Sequence, residues 1–500
     1  MNAIPDIVSL MSNEDKREFS AFLRYKNKRN DAKDVKLFKL IETDDIDGIK
    51  KLYKGQDNND AYHALRKRLH ESLVQFMANR TFENATGEAH EVLRLLVVSR
   101  FFLEHNLTKT AFKCLAKAEA RALPLEQFSL LNEIYLTRIQ YAHLNPTEDL
   151  NALVKKYQVN TRQMQREAQL NIGYALLRKE LHDIHLKGKV VDFRTLVLGT
   201  VKQLGVSLNE VLTYKSLYQM LFIANEYATM NHNFTLVEPF VKRSYEFIES
   251  KKESGDNQLY YHIYVIYFLA NINFRNHRFT ESQSYLTHMS TLMQKQGSRY
   301  HSRFYLRQQL LLALNLHFSG KPAEALAIAE KALKSATKKS APEDVNDLRV
   351  CIAMFLVQQR NRNALKYMAQ FTHTDAWYEK KLGMLWSIRK ALMEILMHAQ
   401  FENEELALAR LKSFKRRYKK YLEQVNEQRV MEFALIVERC ILRPETARHP
   451  DFKAGIVKMM NPAIKEDIFV ISFLGWLIAL AEKKTPYEAA LELLLAPTTD

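Results

Sequence analysis

Glycine and proline are scarce in this chain. Of 500 residues, 13 are Gly and 11 are Pro, where average usage would give about 35 and about 25. Sheet-rich folds need those residues at many tight turns, so the shortage excludes most of them. It also excludes collagen-like chains and Pro-rich linkers. Cysteine is scarcer still. Cys114, Cys351 and Cys440 lie far apart and form no CxxC pair. That excludes a disulfide framework and a zinc site built on paired thiolates, and it points to a reducing compartment.

A long hydrophobic run is also missing. The most apolar window, IFVISFLGWLIALA at 468–481, would reach about 21 Å as a helix, short of the roughly 30 Å hydrocarbon core. Lys465, Glu466 and Asp467 precede it, and Glu482, Lys483 and Lys484 follow. It predicts a buried helix. The opening MNAIPDIVSL has no basic stretch followed by an apolar run, so the expectation is a cytoplasmic protein with no membrane span.

Phosphate-cradling and hydrolytic motifs are absent: there is no GxGxxG, GxxxxGK, GxSxG or HExxH. The expectation is a non-enzyme with no cofactor. His182 and His185, with Glu180 and Asp183 beside them, are the best metal-like group. A lone His pair lacks the further ligands of a complete site. Next to Lys187 it reads instead as a cationic helix end, and no metal is expected.

What the chain does have is apolar content of 47% beside 26% charge, enough to bury a core. Apolar residues recur at three- and four-residue spacing almost throughout, which is the helical period. Leu306, Leu310, Ala313 and Leu314 mark one such face, and Leu408, Leu411, Phe414, Tyr418 and Leu422 another. A longer period overlies this one. Tyr214, Tyr218, Phe222, Ala224 and Asn225 return, 46 residues on, as Tyr260, Tyr264, Phe268, Ala270 and Asn271, and Leu311-Leu312-Ala313 follows at an offset of 43. Helix starts are expected near 88, 125, 161, 207, 257, 299, 342 and 375. The spacing of about 41 residues suits a two-helix unit that buries its apolar side only by stacking on neighbours.

Residues 310–334, LLLALNLHFSGKPAEALAIAEKALK, resemble a tetratricopeptide repeat. Ala313 stands where the two helices cross, Gly320 at the turn, and Ala325 and Ala332 at the small positions of the second helix. The unit at 260–292 carries His277 in place of the glycine and Ser282 in place of an alanine. The resemblance is clearest at 257–340; outside it the chain resembles helical hairpins in general. It implies an all-α fold: a right-handed α-solenoid of such hairpins over 84–443. A charged N-terminal helical domain (1–83) with helices near 14–26, 35–42, 46–53 and 61–78 precedes it. A hydrophobic helical C-terminal cap (444–500), with helices at 467–482 and 487–495, is expected to cover the open end of the last repeat.

The resemblance also implies a groove lined by the first helix of each hairpin. There it places Tyr218, Tyr264 and Arg307, then Asn225 and Asn271, then Thr229, Arg275 and Phe318. Asn offers a donor and an acceptor to a peptide, Tyr a flat apolar area with a polar tip, and Arg a fork for a carboxylate. The same residues would equally serve as contacts between neighbouring repeats.

The charge balance is +16, which favours acidic partners or nucleic acid through the summed field. It is densest at 409–422, ARLKSFKRRYKKYL, where Arg410, Lys412, Lys415, Arg416, Arg417, Lys419 and Lys420 face away from an apolar stripe. That face suits phosphates, an acidic protein, or solvent alone. Residues 24–33 form a second basic cluster. The expectation is a non-enzymatic scaffold that binds a protein or peptide in its groove. The alternative is a nucleic-acid-associated protein using the basic faces of Arg410 to Lys420.

Overall fold

In the computed structural model every regular element among the described residues is helical, and those residues contain no strand. The described residues are 3–27, 33–43, 45–51, 59–84, 88–187, 195–196, 199–200, 202, 213–230, 234–251, 258–337, 340–425, 427–460 and 466–495. The chain divides into two units, Met1–Thr161 and Arg162–Asp500.

In the first unit, α1 (Ala3–Leu10), α2 (Asn13–Asn27), α3 (Lys33–Glu42), α4 (Ile46–Lys51) and α5 (Asn59–Asn84) come first. Phe19 of α2 lies between Phe38 and Phe76, at ring-centroid distances of 4.9 and 5.2 Å. Leu23, Leu69 and Leu73 complete this core. Ser12 and Asp15 bond reciprocally through backbone and side chain, satisfying donors at the start of α2. A second core gathers α6 (Glu88–Glu104), α7 (Thr108–Ala122), α8 (Phe128–Gln140) and the start of α9 (Leu150–Lys187).

One of the expected helix starts is absent and another lies outside the described residues. The one near 161 does not exist, because α9 runs unbroken from Leu150 to Lys187. Asn160 and Thr161, polar residues that look like a break, turn to α8. Asn160 donates to the Phe128 carbonyl at 2.9 Å and Thr161 to Asn132 at 2.9 Å. The start near 207 lies outside the described residues.

The second unit continues with α10 (Tyr214–Met230), α11 (Glu238–Ser250), α12 (Leu259–Arg275), α13 (Phe279–Ser298), α14 (His301–Phe318), α15 (Pro322–Ser335), α16 (Pro342–Gln358) and α17 (Ala364–Met368). Then follow α18 (Asp375–Leu382), α19 (Met384–Gln400), α20 (Glu404–Gln424) and α21 (Gln428–Leu442). Sequential neighbours pack as hairpins: α12 with α13, α14 with α15, α19 with α20. Alternate helices also pack side by side: α10 on α12, α12 on α14, α14 on α16, α16 on α19.

One turn geometry recurs at the end of these side-by-side helices. His277, Gly320, Arg360 and Glu402 all have left-handed φ, between 54 and 87°. In each case the next residue's N–H bonds back five residues, as Arg278 to Asn273, Lys321 to Leu316, Asn361 to Leu356 and Asn403 to His398, at 2.8–2.9 Å. These are Schellman closures, which satisfy the last helical carbonyls. Only Gly320 takes the conformation without steric cost. Small residues sit where α14 crosses α15: Ala313, Ala325, Ala329 and Ala332 are fully buried. Ser282, in place of an alanine, is also fully buried and donates to the Ala270 carbonyl at 2.7 Å.

The chain closes with α22 (Asp451–Lys458), α23 (Ile468–Glu482) and α24 (Pro486–Leu495). Helix α23 is the apolar window, and Ile471, Trp476, Leu477 and Ile478 on it are buried. Gly475 lets α24 come close: a Cβ there would stand 2.9 Å from the Ala490 nitrogen. The C-terminal helices reach well beyond α21. Trp476 donates to Gln400 at 3.0 Å, Tyr487 donates to the His317 carbonyl at 2.7 Å, and Arg360 donates to the Lys484 carbonyl at 2.7 Å. An ion pair joins Asp467 to Arg275. A helix that is apolar on most sides needs cover on more than one, and contacts from α12 to α19 provide it. No helix among the described residues is long and apolar enough to cross a membrane.

Candidate binding face and cavity

The side-by-side helices bring the predicted groove residues together. Asn271 Nδ2 donates to Asn225 Oδ1 at 2.8 Å. The rings of Tyr218 and Tyr264 lie 4.9 Å apart. Arg307 donates to the Tyr264 hydroxyl at 3.3 Å and pairs with Asp344 at 3.0 Å. Arg275 pairs with Asp467 and lies 5.1 Å over Phe469. All six residues are half-buried or more, and contacts link Asn225 to Asn271, Tyr218 to Tyr264 and Tyr264 to Arg307. Most of their polar atoms are used within the chain, between one hairpin and the next or between a hairpin and the C-terminal segment, while Arg275 Nε is buried without a hydrogen-bond partner among the described residues. Thr229 turns its hydroxyl to the Asn225 carbonyl at 2.8 Å, and Phe318 is buried.

Below this face lies a cavity of about 230 Å³, enclosed by α12, α14, α16, α19 and α23. Asn271, Arg275 and Arg307 reach it, and Phe469 and Phe473 of α23 form one wall. Four polar residues in it escaped the sequence reading: Tyr267, Asp347, Trp386 and Arg389. A signal existed. A further step of roughly 40 residues from Arg307 lands on Asp347, and another lands close to Arg389. Along the series Tyr267, Arg307, Asp347 and Arg389, neighbouring positions share no residue type, so matching one step to the next by identity passes over them.

Burial pushes the Asp347 carboxyl up to about 6, against the opposing effect of the Trp386 N–H, which donates to it at 2.7 Å. Burial raises Asp344 as well, with the Arg307 guanidinium working the other way. Burial also lowers the pKa of Arg389 and holds the Cys351 thiol well above its ordinary range. That thiol is a packing group, not a nucleophile.

Next to the cavity, His317 is fully buried, stacked 3.9 Å from Phe355 and bonded to Gln358 Oε1 at 2.5 Å. Burial lowers its pKa to about 4, so it packs as a neutral imidazole.

The basic helix α20 buries Leu411, Phe414, Tyr418 and Leu422, leaving the cations outward. Arg410 pairs with Glu394 at 2.8 Å, Lys415 with Glu438 at 2.7 Å, Arg417 with Glu379 at 2.5 Å and Lys419 with Glu423 at 3.8 Å. Lys412, Arg416 and Lys420 are exposed and have no ion pair among the described residues. Much of the charge on this face is thus neutralised locally. In the basic cluster at 24–33, residues 28–32 lie outside the described residues. His182 is exposed, and the His185 side chain is outside the described ones. Among the described residues no group of three or more His, Cys, Asp or Glu is placed to hold a metal ion.

Comparison with protein-family models, with curated proteins and with solved structures finds no match to this chain.

Proposed function

We propose that the chain is a non-enzymatic scaffold, a right-handed α-solenoid of tetratricopeptide-like hairpins that holds a protein or peptide segment. The observation that carries this reading is that the row of first helices already receives a polypeptide segment of its own chain. Helix α23 rests apolar side chains on that row and places the acidic Asp467 at its start on Arg275. A partner segment would use the same chemistry: apolar side chains against the helix row and an acidic group on a guanidinium. A cytoplasmic location and the absence of a cofactor belong to this reading.

The nucleic-acid alternative uses the basic face from Arg410 to Lys420, on which Lys412, Arg416 and Lys420 are exposed and have no ion pair among the described residues. The four ion pairs along α20 favour the scaffold reading over it.

The test starts from partners co-purified from the native source and identified by mass spectrometry. The double substitution Asn271→Ala with Arg307→Ala is expected to weaken the partner at least about ten-fold while the helical circular dichroism is kept. Unchanged affinity would remove the groove assignment.

A further inference from the structure

Two charges in the cavity have no counter-charge in direct contact. Arg275 is matched by Asp467, and Arg307 by Asp344. Arg389 makes no hydrogen bond or ion pair among the described residues; its guanidinium lies 5.0 Å over the Phe469 ring. Asp347 takes only the neutral N–H of Trp386. These opposite charges line the same cavity and attract each other without meeting in an ion pair, while Asp467 also acts on Arg389 and Arg307 on Asp347. Attraction at a distance leaves hydrogen-bonding capacity of both groups open toward the cavity, where a ligand can take it up. The Tyr267 hydroxyl, also on the wall, has no hydrogen-bond partner among the described residues.

The remaining wall is apolar, with Leu310, Leu314, Met354 and Met393. At about 230 Å³ the space far exceeds the needs of one water molecule. Small-ligand sites have this composition: apolar walls with a few placed polar groups.

We propose that this cavity binds a small zwitterion carrying a carboxylate and an ammonium group, the chemistry of a free amino acid. The Arg389 fork takes the carboxylate and Asp347 takes the ammonium. The Tyr267 hydroxyl donates to the carboxylate, and the ligand's side chain lies along Leu314 and Met354. Charge-assisted bonds to both ends give the site its selectivity, because a ligand lacking one end leaves an ion unmatched. The site does not depend on the scaffold reading, since it needs no protein partner.

Calorimetric titration of the full chain with the proteinogenic amino acids, one at a time, tests the proposal. At least one is expected to bind. Its deaminated acid and its decarboxylated amine are each expected to bind at least about ten-fold more weakly. Asp347→Asn keeps an acceptor for Trp386 and removes the charge; Arg389→Met removes the other. Each is expected to weaken the amino acid by a similar factor, with circular dichroism reporting the fold. If Arg389→Met does not fold, Arg389→Lys replaces it and is expected to bind more weakly for want of the fork. No binding by any amino acid at millimolar concentration overturns the proposal. So does equal binding of the deaminated acid, or wild-type affinity in Asp347→Asn.

Discussion

Asn271 donates its amide N–H to the amide oxygen of Asn225, 46 residues earlier, at 2.8 Å. The same interval separates the two residues in the sequence repeat, so residues equivalent in register are neighbours in space. This is how stacking units of one length must behave. Replacing Asn271 by Ala leaves a half-buried oxygen unpaired, and it should cost about 1 kcal/mol. Replacing both residues should cost less than the sum of the single changes. A double-mutant cycle by urea denaturation checks this, and strict additivity would deny the coupling.

Glu402 holds a left-handed φ of 63° at an exposed turn. A glycine there removes the steric cost of that conformation, at some expense in unfolded-chain entropy. Glu402→Gly should therefore raise stability by roughly 0.5–1 kcal/mol. Thermal unfolding reads the change, and a lower Tm would show that the turn does not need the conformation.

Gly475 faces the α24 backbone, and an added Cβ would lie 2.9 Å from the Ala490 nitrogen. Gly475→Ala gains helix propensity but forces α23 and α24 apart. The overpacking should win, at roughly 1–3 kcal/mol. A stabilised variant would contradict the close approach.

His317 is held neutral, with its pKa lowered to about 4 by burial and partly restored by Gln358. An unfolded imidazole titrates near 6.5. Between these values the unfolded chain binds more protons, so stability rises with pH across the window and falls on acidification. From pH 7 to pH 5 this group alone should remove about 2 kcal/mol. His317→Gln should abolish that part of the loss. Denaturation of both proteins at the two pH values measures it; equal losses would assign the effect elsewhere.

The sequence carries the repeat where residue types repeat. Tyr218 and Asn225 find Tyr264 and Asn271 because like residues do like work in neighbouring hairpins. The turn at Gly320 is visible for the same reason. His277 shows only as the residue standing in the glycine's place, and the equivalents at Arg360 and Glu402 do not show, because side chains without a left-handed preference are held there by the helices on each side. Asn160 and Thr161 mislead in the opposite direction: both look like a break, yet they bond to a neighbouring helix. The cavity is least legible. Its closure depends on Arg275 meeting Asp467 across 192 residues, and no local pattern encodes a pairing at that distance. The cations of α20 are visible as a run, but three of the glutamates that pair with them, Glu379, Glu394 and Glu438, come from other helices.

The C-terminal segment on the helix row is the claim on which the binding face and the cavity both depend. Asp467 caps α23 through the Phe469 N–H at 2.9 Å and pairs with Arg275. Hydrogen exchange of Asp467→Ala against the wild type tests it most directly. Faster exchange is expected at 468–482 and in the last turn of α12, with α8 unchanged. Protection equal to the wild type at both places would contradict the account.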